Sequence, residues 1–109
     1  MLDKVEKTRE LVDALKAALP FEVELTPELV ARLRTQRPPV VVKPQQIVSQ
    51  ISYADDEEGI VCHILPEETE NAIIVSMTHV RMHRKNPLAA AVLDYQKHRV
   101  KKLKKQNGA

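Results

Sequence analysis

Cys62 and His63 are the residues in this chain whose types most directly suggest chemistry, since a thiolate beside an imidazole is a nucleophile and its base. They are neighbours in Ile60-Val61-Cys62-His63-Ile64-Leu65, a β-branched run that reads as a strand. Successive side chains in a strand point to opposite faces, so the two cannot act on each other. With Ile51, Ile60, Ile64 and Val75 expected around it, Cys62 has the setting of an inert structural thiol. His79 and His83 have the i, i+4 spacing of a helical zinc pair. His79 falls at a strand end, where that spacing does not converge, and there is no second cysteine to help. Asp55-Asp56-Glu57-Glu58 matches no calcium loop, and a general acid–base pair is held on a scaffold rather than clustered in a turn. This run reads as a solvated acidic hairpin tip. The two glycines, Gly59 and Gly108, cannot build a phosphate-cradling loop. No catalytic residue, metal site or cofactor is assigned, and the chain is expected not to be an enzyme.

Charge is the stronger signal. The net charge is only +2, but from Asp55 to Glu70 there are seven acidic residues and no Lys or Arg. From Arg81 to the end there are nine Lys or Arg against Asp94 alone. Arg84 and Lys85 precede the last helix, and Lys97, Lys101, Lys102, Lys104 and Lys105 finish it. Cations gathered on one element are the electrostatic footprint of phosphate-backbone binding. They also favour the negative end of their own helix dipole, which is the plainer account of them. An aromatic content of 3% argues against binding single strands by base stacking.

The elements that position these residues follow from periodicity. The stretch of about 46–80 predicts a three-stranded antiparallel meander, with Tyr53 opposite Ile60 and Leu65 opposite Ala72. Gly59 closes the first hairpin loop, where positive φ costs glycine little. Pro66 ends the second strand, and the third is expected over 72–80. One face then carries Ile47, Ser49, Ile51, Cys62, Ile64 and Val75 as core. The other mixes Val48, Gln50, Ser52, Val61, His63, Leu65 and Ile74, which suits partial cover or contact with a second chain.

Helices are expected at about 3–19, 27–37 and 87–105. Asp3 caps the first, and Thr26-Pro27 and Asn86-Pro87 start the others by a capping side chain followed by proline. On the last helix Leu88, Ala89, Val92, Leu93, Tyr95, Val100 and Leu103 share one side, with Arg99 inside that stripe. Phe21-Glu22-Val23-Glu24-Leu25 alternates as a short strand that could be added at a sheet edge. Val40–Val42 reads as extended. The fold class is therefore α+β, in one domain over 1–109, with the last few residues expected to be disordered.

A helix, three antiparallel strands and a C-terminal helix resemble, in element order alone, the double-stranded RNA-binding domains. In that family lysines cluster at the start of the final helix, which is Pro87-Leu88-Ala89-Ala90-Ala91 here. The basic residues of this chain lie in the preceding loop and at the far end of the helix instead.

The N-terminus has no apolar core of a signal peptide, and no run reaches the ~20 apolar residues that span a bilayer. With one cysteine, a reducing, cytoplasmic setting is expected, with no membrane partner. The sequence leads to a small non-enzymatic binding module that contacts an anionic partner, RNA before DNA, through the basic helix and the loop before it. The alternative is a structural or protein–protein adaptor, homodimeric through the mixed sheet face, with an acidic protein as partner.

Overall fold

In the computed structural model, residues 5–54 and 58–106 are described, the last five of them by their backbone alone. Asp3, the Asp55–Glu57 tip and the final residues lie outside, so the expectations placed on them do too. The class is α+β, with three helices and a five-stranded antiparallel sheet.

Helix α1 (Val5–Ala18) buries Thr8, Leu11 and Leu15, one stripe at helical spacing. Pro20 ends it and strand β1 (Phe21–Leu25) follows, with Phe21, Val23 and Leu25 buried and Glu22 and Glu24 exposed. Helix α2 (Pro27–Arg34) starts as expected, the Leu29 N–H donating to Thr26 Oγ1 at 3.3 Å. It stops earlier than 37. The Thr35 hydroxyl donates back to the Arg32 carbonyl at 2.7 Å, and the chain turns toward Pro38-Pro39. Val40–Val42 joins no ladder, although Val42 is buried.

Strands β2 (Gln45–Tyr53), β3 (Ile60–Ile64) and β4 (Ile73–Ser76) pair in succession, as part of a five-stranded sheet and not as the separate three-stranded meander expected. Tyr53 pairs with Ile60, and the Ile64–Ile73 pair belongs to the register that sets Leu65 opposite Ala72. Three corrections apply. First, β4 ends at Ser76 instead of running to 80. The Ser76 hydroxyl oxygen accepts from the Thr78 N–H at 3.3 Å and bonds the Thr78 hydroxyl, which bends the chain into a 3₁₀ turn over Met77–His79. Strand β5 (Val80–Met82) then pairs with β1.

Second, β1 is not an edge strand: the order is β4-β3-β2-β1-β5. Because three residues join two strands at opposite ends of that order, the sheet must curl until its ends approach. This order of elements, with β1 and α2 interposed, is not that of the RNA-binding domains named above.

Third, the core face of β2 changes phase. Val48 pairs with Ile64 but Gln50 with His63, so Ser49 is an extra residue, a β-bulge. Before it Gln46 and Val48 point inward; after it Ile51 does. Val48, expected on the mixed face, is therefore core, and Ile47, expected in the core, is exposed. The buried Gln46 amide donates to the Lys43 carbonyl at 2.8 Å.

Helix α3 (Ala89–Gln106) and α1 cover the inner face of the curled sheet. The inward stripe of α3 is Val92, Tyr95 and Arg99, while Leu93 and Val100, assigned to it from sequence, face outward. Three groups fasten the helix. The Gln96 amide donates to the Met77 and Val80 carbonyls at 2.7 and 2.6 Å, holding the 3₁₀ turn. The Tyr95 hydroxyl accepts from the Ile60 N–H at 3.0 Å. Arg99 is 0% exposed, with its guanidinium against Gly59.

Gly59 has φ +66, as the hairpin requires. A Cβ there would also collide with the Tyr95 hydroxyl and come within 2.7 Å of Arg99 Cζ. Gly59→Ala therefore combines a left-handed backbone penalty with overpacking at the α3 anchor. Urea unfolding should show a loss of about 2–4 kcal/mol, far beyond the cost of an exposed substitution.

Candidate anion-binding surface

The predicted cations fall into two groups. Arg84 and Lys85 are exposed in the loop between β5 and α3. The loop is shaped by the Lys85 N–H donating to His83 Nδ1 at 3.1 Å and the Leu88 N–H donating to Asn86 Oδ1 at 2.9 Å. Asn86 thus shapes the turn before α3, which begins at Ala89 and not at the expected 87, and the two cations stand just before the positive end of the helix dipole. Lys97 and Lys101 form the second group, exposed on one flank of α3 a turn apart. Lys102, Lys104 and Lys105 continue the helix, and their side chains lie outside the described residues. From Ala89 to Lys97 and Lys101 the helix rises roughly 12 and 18 Å. The two groups do not meet in one pocket: one stands in the loop before the helix and the other on the helix itself.

That flank is not purely basic. Leu93 and Val100 are 51% and 46% exposed, and an open depression of about 400 Å³ is lined by Gln96, Lys97, Val100 and Lys101. Periodicity places Leu93 on the docking side and leaves Val100, in the distal half of the helix, as an apolar seam still to bury; the structure exposes both. The available signal was Arg99: a stripe of Leu88, Val92, Tyr95 and Arg99 follows helical spacing better than one that includes Leu93 and Val100. Arg99 itself is enclosed and not available to a ligand.

His79 is half-buried, and burial, reinforced by the nearby Arg32 charge, pushes its pKa below the ordinary value. His63 lies on the outer sheet face, its Nε2 2.8 Å from the Ser52 hydroxyl, while Ser49 Oγ donates to its carbonyl at 3.1 Å. This Ser–His contact ties neighbouring strands together. Among the described residues no group of three His, Cys, Asp or Glu could hold a metal ion.

The outer face carries the exposed Ile47, Leu65 and Ile74. Val61, expected among them, is buried; its neighbour Ser76 donates to the Glu58 carbonyl at 2.8 Å, so the base of the acidic turn folds onto that row. A second hollow, about 390 Å³, lies between α1 and α3, with Leu11, Ala14, Leu88, Ala91, Tyr95 and His98 among its walls.

Comparison with protein-family models, curated proteins and solved structures finds no match. Among the described residues no helix is long and apolar enough to cross a membrane.

Cys62 is buried among the inner side chains, and burial pushes its pKa up to about 12. The folded chain therefore holds the thiol proton at pH values where the unfolded chain, titrating near ~8.5, has lost it. Stability from this group is intact below that range and falls as pH rises through it toward 12. A thiol reagent at pH ~8 should label the native protein only at the rate at which the sheet opens. Labelling should accelerate sharply in urea.

Proposed function

We propose that the protein is a non-enzymatic binding module that takes an anionic partner along the exposed flank of α3 and the loop before it. The observation that carries the reading is the division of labour within one helix. Arg99 is turned inward as an anchor, while Lys97 and Lys101 stand in solvent on a flank that α3 does not use for packing. Duplex RNA is the nucleic-acid partner this reading favours, since phosphates meet exposed lysines without needing aromatic platforms. The single buried thiol fits a reducing, cytoplasmic setting. An acidic protein is the second reading, favoured by Leu93 and Val100 beside the lysines, which phosphates do not require.

The test is fluorescence anisotropy with duplex RNA over a range of salt. Each phosphate neutralised by Lys or Arg contributes about −0.9 to the log–log slope for a B-form duplex, with a comparable dependence expected for RNA. Lys97→Gln with Lys101→Gln should flatten the slope by about one unit for each phosphate that is no longer neutralised. Affinity that is absent at low salt, or indifferent to salt, removes RNA as the partner.

The outer sheet face supports a further part of this proposal, self-association. Ile74 is 61% exposed, with Leu65 and Ile47 on the same face, and such patches mark contact surfaces. Sedimentation should show a dimer for the wild type and a folded monomer for Ile74→Lys. A wild type that stays monomeric at high concentration defeats the dimer.

A further inference from the structure

Leu93 and Val100 stand seven residues apart, two turns along the outer flank of α3, with Lys97 between them and Lys101 alongside. The inward side of α3 carries Val92, Tyr95 and Arg99, and Gln96, at the margin between the two sides, reaches the Met77 and Val80 carbonyls. Neither exposed apolar residue is needed to hold α3 in place, yet both lie at the spacing by which one helix meets another. We infer that this flank docks an acidic amphipathic helix of a partner protein. The partner's apolar ridge covers Leu93 and Val100, and its Glu and Asp side chains face Lys97 and Lys101.

The inference rests on the anionic-partner reading and specifies its partner. Charge complementarity selects the occupant. The same flank of a second copy would bring lysines against lysines, an unfavourable juxtaposition. A duplex would satisfy the lysines and leave Leu93 and Val100 in water. An acidic helix satisfies both kinds of side chain, and the open depression between Gln96, Lys97, Val100 and Lys101 can receive an apolar side chain from it. Two apolar residues are too few to insert α3 into a bilayer.

The full chain would be titrated with three probes at one ionic strength. These are a helical peptide with leucines at alternating three- and four-residue spacing and flanking glutamates, a scrambled peptide of the same composition, and duplex RNA. Leu93→Ser and Val100→Ser replace exposed side chains, and unchanged melting confirms that the fold is kept. The patterned peptide should bind about tenfold or more tighter than the scramble, and each serine variant should weaken it by about tenfold while keeping its salt dependence. If the scramble binds equally, or the serine variants bind unchanged, charge alone acts and the inference fails while the anionic reading stands. RNA bound more tightly than the peptide, and indifferent to Leu93→Ser, assigns the flank to nucleic acid and overturns the inference. Binding of none of the three overturns the inference and the anionic reading together.

Discussion

The contact of Arg99 and Tyr95 with Gly59 is the constraint on which the rest of the structure depends. A fully enclosed guanidinium costs several kcal/mol unless its charge and hydrogen bonds are answered. Arg99 is not without partners. One turn of α3, from Tyr95 to Arg99, fixes the start of β3, the 3₁₀ turn and the first hairpin together. Without that turn the inner face of the sheet would keep only the cover of α1, which packs against β2.

The same contact brings the acidic and the basic stretches of the sequence together. The acidic turn and the basic helix are far apart in the chain, and each looks like a separate solvated feature. In the fold the base of the turn lies at the helix, and the one arginine within the apolar stripe is the residue that meets it. Lys97 and Lys101 of the same helix remain in solvent. The basic character of α3 is therefore partly structural and partly available, and burial separates the two at single-residue resolution.

Local chemistry was legible in the sequence wherever one residue type commits the backbone. Thr26-Pro27 started a helix, Asn86 shaped the turn just before another, Gly59 closed a hairpin at positive φ, and Tyr53 met Ile60 in the expected register. The bulge at Ser49 left no such mark, because an extra residue in a strand changes phase without changing composition. The bend after Ser76 was hidden because the β-branched run continues through it. The interior place of β1 depends on Leu25 finding Val80, a pairing no local window contains. Of the site, the exposed lysines were legible as charge. Their apolar neighbours were not, since a helix wheel cannot choose between two adjacent stripes until one is fastened to something.

The strand order also sets a timetable for synthesis on the ribosome. β1 emerges early, and β2, β3 and β4 can pair as hairpins while they appear. The free edge of β1 stays without its second partner until Val80–Met82 leave the exit tunnel. Of the two helices that cover the inner face, α1 precedes every strand and α3 comes last. A nascent chain that has completed its meander therefore carries an apolar concavity that only α1 can cover, and the segment that completes the cover is the same lysine-bearing helix that meets the outside world.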